Sequence, residues 1–159
     1  MMARDRTMVV LDAGEARFQL RAAALIRRNG HILVQRATRD AYWALPGGRV
    51  EMGEPAAQAL VREIREELDS AAEIGPLAFV IENFFEMDGR SVHGLGLYFD
   101  IAIDHGFPFH LDEVVHRVRD GDYDLEFRWI PIEAEALVRF DLKPSALHDL
   151  LTAQHAGTV

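Results

Sequence analysis

The chain has 159 residues, with 26 Asp+Glu against 17 Lys+Arg and no cysteine. The length suits one domain, and a hydrophobic share of 49% rules out wholesale disorder. The net charge of −9 argues against a nucleic-acid polymer as partner, and the lack of cysteine removes disulfides, zinc–thiolate sites and cysteine nucleophiles.

No run of about 18 apolar residues is present, so no membrane span is predicted. The first eleven residues lack the apolar core of a signal peptide, so a cytoplasmic protein is expected. Lys143 is the single lysine, and the other basic residues are arginines, whose planar forks suit phosphate and carboxylate.

Residues 1–16 read as an N-terminal arm or short strand. In Phe18–Ile26, Phe18, Leu20, Ala22, Ala24 and Ile26 share one face of a predicted strand. Asn29-Gly30 predicts a hairpin turn, and His31–Arg36 its return strand. Residues 37–53 read as a long connection. Pro55 suits the first turn of a helix reaching Leu68, with Ala57, Leu60, Val61, Ile64 and Leu68 as its apolar stripe.

Gly75-Pro76 is expected to close the next connection. Asp88-Gly89 predicts a hairpin between Leu77–Glu86 and Ser91–Ile103. Residues 104–121 read as a polar, His-rich loop. Tyr123, Leu125, Phe127 and Trp129 alternate as a strand, Pro131 is expected to start a short helix, and Pro144 to open a last one. This order fits helices packed on a mixed sheet, an α/β protein.

Chemistry concentrates between Gly47 and Asp69. Glu63, Glu66 and Glu67 fall within an arc of about 100° on the helix, on the flank away from the Leu60/Ile64/Leu68 stripe. Glu63 and Glu67 repel at i,i+4, which calls for either solvent or a bound cation. A solvated acidic face is the simpler origin of such a cluster. The Gly-Gly loop, Glu54 and Arg62 beside it favour a hard divalent cation, Mg²⁺ or Mn²⁺.

The segment resembles the signature box of the Nudix (MutT-like) hydrolases. Gly48, Glu54, Arg62, Glu63, Ile64, Glu66 and Glu67 match it at the correct spacing. The box occupies residues 48–70 and departs at its end, where Asp69 replaces a glycine and Ser70 an aliphatic residue. Trp43–Gly48 and Trp129-Ile130-Pro131 extend the likeness, so that residues 1–159 are read as one such domain.

The resemblance implies an α/β/α sandwich around a mixed sheet. It implies Mg²⁺- or Mn²⁺-dependent hydrolysis of a nucleoside diphosphate linked to another moiety. A catalytically inert Nudix-fold binding or regulatory module is the alternative. By the same resemblance Glu63, Glu66, Glu67 and the Gly47 carbonyl hold metal, with Glu66 or Glu67 as general base. Glu54 and Arg62 would orient loop and helix. Arg36, Gly48 and Arg49 are assigned to substrate, Arg36 because it ends a strand just before the long loop.

A further acidic ligand is sought at Glu126, with Asp112, Glu113, Asp122 and Asp124 as competitors. His105, His110 and His116 are expected to be solvated. Of Phe84 and Phe85, at least one is expected in the core. Substrate choice is placed in loops 37–45, 87–91 and 104–122. Family members often dimerise, so the first strand is a candidate edge for a second copy.

Overall fold

Strand β2 (Ala16–Leu25) is buried on both faces from Ala22 onward, and two cores form on either side of it. The computed structural model describes residues 7–157. Ala22, Ala24 and Ile26 enter one core, with Leu60, Ile64, Phe127 and Trp129. Ala23 and Leu25 enter the other, with Ile32, Val34, Ile130, Leu137, Leu147 and Leu151. Short alanines let the chain pass between two packed layers at this point.

The chain begins with β1 (Val10–Ala13), followed by β2 and β3 (Arg27–Arg28). Next come β4 (His31–Ala37), β5 (Trp43–Ala44), β6 (Gly47–Arg49) and helix α1 (Ala56–Leu68). The long hairpin β7 (Ala72–Met87) and β8 (Arg90–Ile103) follows. The chain then forms β9 (His116–Asp120), β10 (Tyr123–Pro131), α2 (Ala134–Arg139), β11 (Leu142–Lys143) and α3 (Leu147–Ala156).

The strands divide between two mixed sheets. One runs β1-β2-β8-β7, with β6 also on β2 and a parallel β2–β8 pair. The other runs β11-β5-β4-β10-β9, with β3 on β4 and a parallel β11–β5 pair. The α/β class with mixed sheets is as expected.

Both predicted hairpin turns form. Asn29 and Gly30 take φ of 51° and 71°, and Asp88 and Gly89 take 51° and 77°. Positive φ at both central residues matches the right-handed twist of the flanking strands. Asp69 leaves α1 in the left-handed conformation at φ 50°, ψ 40°, the task a glycine would otherwise perform.

Several expected boundaries move. Gly75-Pro76 lies within β7, where the register on β8 slips between Ile74 and Phe79. The proline has no ladder N–H to give, and the strand bulges around it. Pro55 caps α1 from outside, and Pro131 ends β10, three residues before α2 begins. The 37–53 connection contains β5 and β6, and the 104–121 loop contains β9. Of the N-terminal arm, residues 1–6 lie outside the described residues; Met8 bridges to Glu51 and β1 follows. Among the described residues no helix is long and apolar enough to cross a membrane.

Candidate active site

Two glycines set the floor of the site. A Cβ on Gly47 would stand 2.1 Å from the Ala22 carbonyl oxygen, because β6 lies directly on β2. A Cβ on Gly48 would stand 2.5 Å from Cδ of Glu63. The Gly-Gly pair therefore lets a strand and a carboxylate approach the same stretch of backbone from opposite sides.

Helix α1 lies above this floor and buries Ala59, Leu60, Ile64 and Leu68. Val61, expected in the stripe, is exposed. Glu67 turns inward instead and is 6% exposed. It follows Ile64 by three residues and Leu60 by seven, spacings that place it on the buried side.

Arg62 ties the loop to the helix. Its Nε and Nη2 donate to the two oxygens of Glu54 at 3.0 and 3.1 Å. Its Nη1 donates to Glu63 at 2.9 Å and lies 3.6 Å from Glu66. Glu54 also accepts the backbone N–H of Glu51 at 3.2 Å, closing the turn before α1. Hydrogen bonding to Glu54, with the Glu63 charge behind it, raises the Arg62 pKa above its ordinary value.

Glu63 and Glu67 form a proton-sharing pair. Burial raises Glu63, against the pull of Arg62. Burial, the Glu63 charge and the hydrogen bond to Glu63 push Glu67 up to about 9. Both carboxyls are thus pushed up by burial, Glu67 the further, so that the pair holds a proton more tightly than two exposed acids would. Among the described residues, no three acidic or imidazole side chains converge as a ligand set in this arrangement. Arg62 draws Glu63 and Glu66, and Glu67 is turned to Glu63.

Two residues that sequence reasoning missed stand near this pair. The Arg21 charge lowers the Glu67 pKa and the Asp120 charge raises it. Arg21 donates to the Leu45 carbonyl at 3.1 Å and sits opposite Arg49 across β2 and β6. Paired strand residues share a face, and like charges there oppose each other unless an anion intervenes. The Arg21 field also reaches the phenols of Tyr42 and Tyr98, both raised chiefly by burial. The partial signal for Arg21 was one charge in an apolar strand. Asp120 closes the β9–β10 hairpin, which was read as loop.

Other expected residues lie elsewhere. Leu125 and Phe127 pack towards α1, so Glu126 between them points to the opposite face. There it is 5% exposed and held by Arg36 at 2.6 Å and Arg117 at 3.4 Å. Arg36 stacks on Trp43 with its guanidinium 4.5 Å from the ring centre. Neither residue joins Glu63 and Glu67. Asp124 pairs with Arg119 at 3.3 Å, and Glu113 with His110 at 3.7 Å.

His116 is not a solvated loop histidine. It lies between the Phe107 and Phe127 rings, and its Nε2 contacts the Glu67 carbonyl at 2.7 Å, fixing the end of α1. Phe84 is exposed against His93, and Phe85 is half-buried over Gly94.

Known proteins share both sequence and fold. The family model of the NUDIX domain matches residues 17–149. The CTP pyrophosphohydrolase of Escherichia coli (strain K12) is 43% identical over 75 residues, 45% of this chain and 54% of that protein. The 8-oxo-dGTP diphosphatase of the same strain is 38% identical over 56 residues, 33% of this chain and 43% of that protein. The chain thus spans about half the length of these curated relatives. The solution structure of the E. coli ORF135 protein superposes with a TM-score of 0.54 at 30% identity, covering 91% of this chain and 94% of that one. The crystal structure of a MutT NUDIX hydrolase from Burkholderia pseudomallei gives 0.57 at 24% identity, over 78% and 96%, a likeness of fold. The family match takes in every element from β2 to the start of α3, the carboxylate helix included, and the chain belongs to the Nudix family.

Proposed function

We propose that the protein is a divalent-cation-dependent hydrolase that cleaves the diphosphate bond of a nucleoside diphosphate linked to another moiety. The observation that carries this reading is the placement of the α1 carboxylates: Glu63 stands against Gly48 with the buried Glu67 one turn on, beside an arginine bonded to Glu54. A proton there is what a hard cation would replace, and the donors are all oxygen. Glu63, Glu66, Glu67 and the Gly47 carbonyl would hold Mg²⁺ or Mn²⁺. When bound, the cation supplies charge to the diphosphate as its P–O bond breaks.

The chain's own groups divide the remaining work. Glu66 or Glu67 removes a proton from the attacking water. Arg62 and Glu54 fix the loop against the helix. Arg21 and Arg49 face the diphosphate, with Gly48 letting Glu63 close on the loop beneath it. Asp120, whose charge raises the Glu67 pKa from outside the helix, is the candidate for the further ligand. The names of the two curated relatives favour a nucleoside triphosphate, cleaved with one water to a nucleoside monophosphate and pyrophosphate. The same reading places the protein in the cytoplasm and allows a homodimer along the edge strand β1.

Calorimetric titration with Mg²⁺, combined with a product screen over nucleoside triphosphates, nucleotide sugars, ADP-ribose and dinucleoside polyphosphates, tests the reading. Turnover that needs Mg²⁺ is expected. Nucleotide binding without turnover on any of these would favour the inert binding module, and no metal binding at all would end the proposal.

A further inference from the structure

An arginine cluster lies on the face of the second sheet that points away from α1. Arg128 of β10 lies with its guanidinium 4.4 Å from the centre of the Phe140 ring, and Arg139 of α2 lies 5.1 Å from the same ring. Phe140 in turn meets Trp43 edge-on at 6.4 Å, and Arg36 stacks on Trp43. Two aromatic rings thus form a shelf carrying three guanidiniums. Arg117 stands next to them on Glu126.

The charges on this shelf do not balance. Glu126 is taken up by Arg36 and Arg117. Among the described residues Arg128 and Arg139 have no carboxylate within ion-pair distance, and Nε of Arg128 is buried with no hydrogen-bond partner. Burial, with Arg139 and Arg36 nearby, lowers the Arg128 pKa against the fields of Asp112 and Glu126. In a chain of net charge −9 this is a local excess of positive charge with one orphaned buried donor. Ring stacking leaves the buried Nε of Arg128 without an acceptor and the exposed fork of Arg139 open to solvent.

We infer that Arg36, Arg128 and Arg139 form a phosphate-binding site on the Trp43–Phe140 shelf, separate from the carboxylates of α1. A phosphate offers several oxygens to more than one guanidinium fork, and its charge offsets the repulsion among the three. The phosphate has two possible sources. It is free orthophosphate, acting on the protein from outside the diphosphate site, or it is a phosphate carried by the nucleotide substrate.

Orthophosphate titration by calorimetry, in EDTA and at low salt, tests the site without requiring turnover. Wild-type protein is expected to bind, and binding should weaken with added NaCl. Arg139→Gln, on an exposed side chain, should weaken it about tenfold, as loss of a charge-assisted bond does. Arg128→Gln should do the same, with circular dichroism checking that the half-buried site still folds. Glu67→Gln should leave orthophosphate binding intact, so failure of the hydrolase reading is told apart from failure of this one. A rise in KM for the nucleotide in Arg139→Gln assigns the phosphate to substrate; an unchanged KM with lost orthophosphate binding assigns it to free phosphate. No binding by wild type, or equal binding in wild type, Arg128→Gln and Arg139→Gln, overturns the inference.

Discussion

Glu67 and Glu63 stand one turn apart on α1, Glu67 buried and Glu63 against Gly48, and burial beside the neighbouring carboxyl raises both of their pKa values. Holding a proton between them relieves the repulsion of two like charges at i,i+4, and Arg62 offsets the charge on Glu63.

Glu67→Gln should separate chemistry from stability. The amide keeps the size and the donor that face Glu63. Turnover with Mg²⁺ should fall about 100-fold or more if Glu67 is ligand or base. The melting temperature in EDTA should stay level or rise. A fully active variant would remove Glu67 from the site.

The pH dependence has a definite sign. Glu67 binds its proton more tightly in the folded chain than in the unfolded one, where its pKa is the ordinary 4.5. Stability of the metal-free protein from this group is therefore full below about 4.5 and is lost as pH rises towards about 9. Melting temperature in EDTA should fall over that window. Saturating Mg²⁺ should flatten the fall, because the cation favours the deprotonated pair. A melting curve in EDTA that rises from pH 5 to 8 equally in wild type and Glu67→Gln would count against the shared proton.

Gly48→Ala should damage binding more than folding. The new methyl group meets the Glu63 carboxyl, the far end of a flexible side chain that can turn away. A small drop in melting temperature is expected, with Mg²⁺ affinity down about tenfold, the loss typical of disturbing a ligand's position. Equal Mg²⁺ affinity in the two proteins would place Glu63 outside the cation site.

Arg62→Gln should be destabilising, by about 2 kcal/mol, since it strands Glu54 and Glu63 in a half-buried turn. Chemical denaturation reads this directly. Arg62→Lys should recover only part of the loss, because an ammonium cannot make the two-point contact with Glu54.

Arg21→Gln should raise KM for the nucleotide about tenfold with little change in kcat, the signature of lost ground-state phosphate contact. If only the melting temperature moves, Arg21 serves the Leu45 carbonyl alone.

The helix, both hairpin turns and the carboxylate spacing were legible because each rests on local chemistry: 3.6-residue periodicity, Asn-Gly and Asp-Gly, and Asp69 in place of glycine. The inward turn of Glu67 was also available, from its spacing to Leu60 and Ile64. Glu126, His116 and Arg21 were not. Their surroundings come from segments 90, 49 and 24 residues away in sequence, at Arg36, Glu67 and Leu45. Nothing in a single segment encodes which face of β10 meets α1. β9 was missed because five polar-rich residues acquire a strand conformation only by pairing with β10.

The parallel ladder of β2 on β8 pairs Ala16 with Ser91 and Leu25 with Asp100. Those partners are about seventy-five residues apart, and α1 lies in the loop between them. A growing chain therefore makes the carboxylate helix before it has made the second strand of the sheet that the helix packs against. Closing so long a loop is slow, since its entropy is lost before the ladder forms. Until Asp100 has emerged, Glu63 and Glu67 stand in water, and the core that buries Glu67 is completed later still, when β10 brings Phe127 and Trp129 against Leu60 and Ile64.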